Sequence, residues 1–206
     1  MQDEPNNPTL LERIQESLRD FTFLYPKDLV QLASILRLKR LAKGEHFVRE
    51  GEYNYSGVRV LKGLLAHYIV DENGAEKILL FVPEKGVSGA LQTTMNKKPA
   101  DENIIALEDS LILTCDMRSL EHLAADNIRI LKLLNQSYKD LIVDAAMRIK
   151  FLIAHNDEER YNNFTRTYPG LEQRVRQKDL ASFLGITLET LSRVRKKLSI
   201  SEAGDI

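Results

Sequence analysis

The chain has 206 residues, 43% of them hydrophobic, with a net charge of −1. That is enough for one large or two small packed domains and excludes a disordered chain. No apolar run approaches the ~20 residues of a membrane span, and the acidic start MQDEPNNPTL does not resemble a secretory signal. The single cysteine, Cys115, excludes an internal disulfide and a four-cysteine iron–sulfur cluster, so the cytoplasm is the expected compartment.

Residues 9–36 read as two helical pieces. Leu10, Leu11, Ile14 and Leu18 form one apolar stripe; Pro26 suits the first position of the second piece, followed by Leu29, Leu32, Ala33 and Leu36. From about Leu38 to residue 116 the pattern changes to short strands punctuated by glycines at 44, 51, 57, 63, 74, 86 and 89, as in an antiparallel barrel or sandwich. Strands are expected over 46–48, 58–61, 65–70, 77–82, 104–107 and 111–114, with Asp71-Glu72-Asn73-Gly74 as a hairpin turn. Residues 86–101 have no clear period, and irregular loops of this length are often functional.

A short helix is expected over 117–124, then one long helix from Asp126 to about Ala154. Leu131, Leu134, Tyr138, Leu141 and Ala145 recur in steps of three and four, the spacing of a heptad seam. Such a helix would be roughly 40 Å long, and a second copy of it is the natural cover for its stripe. His155-Asn156-Asp157 reads as a hinge, and residues 158–167 as a further helix stopped by Tyr168-Pro169-Gly170.

The stretch 175–198 is the most informative. Leu180, Ala181 and Leu184 mark a short helix, Gly185 suits its C-terminal stop, and Thr187 can cap the next helix. In that second helix Leu188, Leu191, Val194 and Leu198 are expected to face inward. Glu189, Ser192, Arg193 and Lys196 share an outer face. Residues 172–198 hold seven basic and three acidic side chains, a local +4, while the rest of the chain carries −5. A helix, a glycine turn and a second helix with a basic outer face is a helix-turn-helix pattern, with double-stranded DNA as the expected partner. Arg193 could form two hydrogen bonds to a guanine edge, and Glu189 could accept from cytosine or orient Arg193. Thr187, Thr190 and Ser192 could reach bases or phosphates. Arg176, Lys178, Lys196 and Lys197 would hold phosphates. Only eight residues follow Leu198, too few for a β-hairpin wing.

This order of elements resembles the Crp/Fnr superfamily of dimeric bacterial regulators over nearly the whole chain. The most specific part is Gly185-Ile186-Thr187-Leu188-Glu189-Thr190-Leu191-Ser192-Arg193, which is similar to the family's E-T-x-S-R recognition helix. Arg160-Tyr161 and Tyr168-Pro169 look like the branch that ends soon after that helix. The resemblance implies an α+β chain: an N-terminal antiparallel β-roll of the cyclic-nucleotide-binding type, a long dimerisation helix, and a C-terminal helix-turn-helix domain with a truncated wing. Domains are expected at 1–125, 126–155 and 156–206. It implies a homodimer reading an inverted repeat with the 187–198 helix, RNA polymerase as a partner, and a small-molecule effector of unknown identity. The dimer interface would be Leu131, Leu134, Tyr138, Leu141 and Ala145.

The sensor cassette departs from the family pattern. Its region is Gly86-Val87-Ser88-Gly89-Ala90-Leu91; if Gly89 is the cassette glycine, Ala90 replaces the ribose-binding Glu. Ten residues on, where the resemblance implies an Arg for the phosphate, stand Ala100 and Asp101, then Glu102. A cyclic-AMP effector is therefore not expected. Lys97 and Lys98 leave open a shifted phosphate site and a cyclic-nucleotide-responsive regulator. The four histidines, His46, His67, His122 and His155, lack metal-site spacing, and Cys115 follows a buried-strand pattern. No metal, cofactor or catalytic residue is expected. A cupin-like binding protein or enzyme is the alternative in a different class, but it lacks the H-x-H signature and leaves the basic helix unexplained.

Overall fold

In a computed structural model the chain is described over residues 8–154 and 156–204. Thr9 caps α1 (Leu10–Ser17) in a capping box with Glu12, and Pro26 occupies the first turn of α2 (Pro26–Ile35). Eight strands follow: β1 (Arg37–Leu41), β2 (His46–Val48), β3 (Ser56–Lys62), β4 (Leu65–Val70), β5 (Glu76–Val82), β6 (Val87–Gly89), β7 (Asn103–Ala106) and β8 (Ser110–Asp116). They form two four-stranded sheets, β1-β8-β3-β6 and β2-β7-β4-β5. The strand pairs with a recorded register, β1–β8, β2–β7, β3–β6 and β3–β8, are antiparallel. Two of these strands and one helix have no counterpart in the sequence reading. β1 exposes every residue except Leu41, so it carries no alternation. β6 and the six-residue α3 (Leu91–Asn96) lie inside the stretch read as irregular; a three-residue strand is too short to show a period.

Helices α4 (Met117–Asp126), α5 (Ile128–Ala154), α6 (Asp157–Thr167), α7 (Gln177–Leu184) and α8 (Leu188–Gly204) complete the chain. α8 runs helically to Gly204 instead of ending at Leu198. Among the described residues no helix is long and apolar enough to cross a membrane. His155 lies outside the described residues.

The chain divides into two compact units, Met1–His67 with Phe81–Leu141, and Tyr68–Leu80 with Ile142–Ile206. This division differs from boundaries read along the sequence, because the β4–β5 hairpin goes with the C-terminal helices. In the first unit, Ile14, Leu18, Leu32, Leu113, Ala124, Ile130, Leu133 and Leu134 make a buried core between the sheet and the helices. Asp28, fully buried, ties α2 to the start of α5. Arg129 donates to it from Nε at 2.6 Å and a second guanidinium nitrogen at 2.9 Å, and Asn127 donates at 2.7 Å. In the second unit Phe164, Phe183 and Tyr168 stack edge-on or tilted, with the Arg148 guanidinium 3.8 Å from the Phe183 ring centre.

Candidate nucleic-acid interface and sensor pocket

The turn between α7 and α8 is built as its residues require. Gly185 takes φ 69°, a left-handed conformation that costs a residue with a Cβ more than it costs glycine, and Ile186 N–H bonds back to Ala181 O at 3.0 Å. Thr187 Oγ1 accepts from Thr190 N–H at 3.1 Å and so caps α8. Leu180, Ala181, Phe183 and Leu184 of α7 are buried, and from α8 Leu191 and Val194 pack inward. Thr187, Glu189, Ser192, Arg193, Lys196 and Lys197 are exposed, and Thr190 is half-buried. Leu188 is a correction: it is 53% exposed and stands on the outer face beside Glu189, not inside. The first residue of α8 lies ahead of the turn that α7 covers, so helical phase alone misplaced it.

The cations differ in how they are held. Arg176 forks onto buried Asp179 through bonds of 2.7 and 3.0 Å, which raises its pKa further and commits it to the start of α7. Lys178 lies 3.3 Å from Glu76 of the β4–β5 hairpin, whose carbonyl also accepts from Ser182 Oγ. Lys197 pairs with Glu158 at 2.6 Å. Arg195 is held by Tyr161 Oη and Gln177 Oε1. Arg193 is exposed and, among the described residues, has no ion-pair partner.

In the first unit, the interior of the β-roll holds a polar group that sequence spacing did not reveal. His67 on β4 is buried; its Nδ1 lies 3.0 Å from Glu102 Oε2 and its Nε2 2.6 Å from Ser88 Oγ. With neutral imidazole, Nδ1–H donates to the carboxylate and Nε2 accepts from the serine hydroxyl. Residues 67, 88 and 102 come from three separate segments, so only the pairing of strands could bring them together. Ala90 and Ala100 are buried, Gly86 and Gly89 half-buried, and Leu91 and Asp101 exposed. Lys97 and Lys98 are exposed. Burial pushes the Cys115 thiol up to about 11, so it is an un-ionised core thiol. Among the described residues no group of three His, Cys, Asp or Glu side chains could hold a metal.

Residues 38–127 match the cyclic nucleotide-binding domain family. The fumarate and nitrate reduction regulatory protein of Vibrio cholerae is 26% identical over 191 residues, 87% of this chain and 76% of that protein. FixK2 from Bradyrhizobium japonicum has a similar fold, with a TM-score of 0.69 at 19% identity, over 82% of this chain and 86% of that one. A Crp/Fnr-family transcriptional regulator from Eubacterium rectale also scores 0.69, at 15% identity over 90% and 88% of the two chains. The chain thus carries a cyclic nucleotide-binding-type domain over residues 38–127 and shares the fold of Crp/Fnr-family regulators.

Within this fold the long helix α5 shows which side is left uncovered. Leu134, placed in the seam by its spacing, is 7% exposed and packs into its own unit's core, and Leu141 is half-buried. Ile128, Ile142 and Ile149 are 71%, 68% and 60% exposed and recur at multiples of seven residues, with exposed Asn135 completing the row. Leu131, Tyr138, Ala145 and Leu152 lie three residues after each. Of the residues that spacing put in the seam, Ala145 is exposed on this side, while Leu131 and Tyr138 are half-buried and pack against the first unit's core, as Leu134 does. The start of α5 is apolar nearly all round, so period alone could not fix the phase.

Proposed function

We propose that this chain is a homodimeric, DNA-binding transcription regulator. α8 enters the major groove, and contacts with RNA polymerase turn binding into a change in transcription. The observation that carries the reading is the outer face of α8, where Leu188, Glu189, Ser192 and Arg193 are exposed behind a glycine turn and a threonine cap. Arg193 would read a guanine, Glu189 a neighbouring cytosine, and Leu188 a thymine methyl. Lys178, Lys196 and Lys197 would exchange their present surroundings for phosphates. Arg176 would act mainly by holding Asp179. The apolar row of α5 would pair with its copy, Asn135 fixing the register as a polar residue at a seam position does. Two recognition helices would then meet an inverted repeat with half-site centres about 34 Å apart.

The test is a quantitative gel shift with a selected operator and random DNA. Arg193→Ala should weaken operator binding by about 1–3 kcal/mol and relax selectivity at one base pair. Equal losses on operator and random DNA would show that α8 does not read bases through Arg193.

Cyclic AMP and cyclic GMP are not the effectors in this reading. The ribose position holds Ala90 and the phosphate position holds Ala100, and the roll interior also holds the His67–Glu102 pair. A cyclic phosphate entering there would lose hydration without a guanidinium to receive it and would meet a carboxylate. Calorimetry with each nucleotide at millimolar concentration should show no saturable heat. Micromolar binding would overturn this part and leave the DNA reading intact.

A further inference from the structure

The strands that close the roll also have an outer face. In β3 and β6 the register pairs are Gly57 with Gly89, Val58 with Ser88 and Arg59 with Val87. Val58 and Ser88 are buried toward the roll interior. By alternation Gly57, Gly89, Arg59 and Val87 face the other way, as do Leu113 and Cys115, which pair with Arg59 and Gly57 from β8. On that outer face lies a cavity of about 130 Å³, roofed by residues of α1, α2, α4 and α5. Two facing glycines leave its floor bare; a Cβ on Gly57 would run into the Met117 sulfur.

The walls are largely apolar, with Leu18, Leu32, Leu120, Leu133 and Leu134 among them; the hydroxyls of Ser17, Ser88, Thr94 and Ser137 are already bonded elsewhere, which leaves two polar groups. Arg59 donates one guanidinium bond to Ser17 O at 2.8 Å, and its Nε is buried with no acceptor. Among the described residues no carboxylate lies within ion-pair distance; Asp20 and Asp140 act on it only from further away. Burial pulls its pKa below the ordinary arginine value, so the cation is held at a cost that an anion would relieve. Tyr138 also lines the cavity, and burial raises its pKa, keeping the phenol protonated as a donor.

We propose that this outer cavity binds a small amphipathic monocarboxylate, its hydrocarbon body on the glycine floor and its carboxylate on Arg59 and Tyr138. The size fits: an apolar cavity of ~150 Å³ takes a benzene-sized body. An apolar guest without the acid would leave Arg59 Nε unsatisfied, and an amine would be repelled. The cavity shares Val87, Ser88, Gly89 and Leu91 with the cassette segment, but Ala90, Ala100, His67 and Glu102 do not line it. Binding here stands whether or not α8 reads DNA; only its role as an effector rests on the regulator reading above.

The full chain, free of DNA, is titrated with hexanoate, 1-hexanol and hexylamine by calorimetry and ligand-observed NMR. Hexanoate should saturate in the sub-millimolar range, hexanol about tenfold more weakly, and hexylamine not at all. Arg59→Gln should bring hexanoate down to the level of hexanol, and Arg59→Lys should keep part of the preference. Val87→Phe, checked for folding by its melting curve, should block hexanoate and hexanol alike by filling the cavity. Equal binding of acid and amine, an unchanged acid preference in Arg59→Gln, hexanoate binding to folded Val87→Phe as to the native chain, or no binding of hexanoate up to several millimolar would each overturn the proposal. A subsequent gel shift with and without hexanoate asks whether the ligand changes DNA affinity, and its outcome does not bear on the binding itself.

Discussion

Replacing Ile142 and Ile149 together by glutamate should yield folded monomers at micromolar concentration, with operator affinity reduced to that of a single half-site. Both side chains are more than half exposed, so the charges cost the isolated chain little. In a paired seam the same four carboxylates, two from each copy, would stand buried and opposed, a desolvation and repulsion penalty of several kcal/mol. Leu134→Glu is the contrasting variant. It would place a carboxylate in the core of the first unit, beside Leu133 and Ile130, and should unfold that unit instead of merely separating copies. Sedimentation with a circular-dichroism melt separates the outcomes. An Ile142→Glu/Ile149→Glu protein that remains dimeric would move the interface away from α5.

Asp28→Ala should be among the most damaging single changes for folding, at about 3–5 kcal/mol, the usual result of removing one partner from a buried ion pair. The carboxylate is fully buried and accepts from Arg129, Asn127 and the backbone N–H of Tyr25. Its loss strands a guanidinium that is itself three-quarters covered. The pair also sets an acid limit. The Arg129 hydrogen bonds hold the Asp28 carboxyl well below the usual range, against the opposing effect of burial. Because the folded pKa lies below the unfolded value of ~3.9, its contribution is complete above that value and is lost as pH falls through and beneath it. Acid unfolding followed between pH 5 and 2 should be less steep in Asp28→Asn than in the native chain. Identical slopes would mean that other carboxylates carry the transition.

What could be read from the sequence follows from how local each signal is. The strands over 46–48 and 65–70, the hairpin at Asp71–Gly74 and the turn at Gly185-Thr187 are specified by neighbours within a few residues, and the structure has each of them. The sequence could not show that the Glu102 side chain, more than Asp101, faces the roll interior, since that depends on where His67 arrives from another strand. Nor could it show that Arg176 is tied to Asp179. The phase of α5 was hidden because leucines and isoleucines surround its first turns, and only the covering sheet distinguishes them. The outer cavity was invisible for the same reason: Gly57 and Gly89 look like turn residues until their strands are paired.

The pairing of the basic side chains has a consequence for how binding would respond to ionic strength. Lys178, Lys197 and Arg176 already face Glu76, Glu158 and Asp179. A phosphate that displaces one of these carboxylates exchanges one anion for another, and the freed carboxylate must gather a cation from solution. Each ordinary phosphate contact releases close to one counterion from B-DNA, giving a slope of about 0.9 in log affinity against log salt. Exchange contacts take part of that release back. The protein would therefore hold DNA with a shallower salt dependence than its count of lysines and arginines suggests, and lean more on Arg193 for what distinguishes one sequence from another.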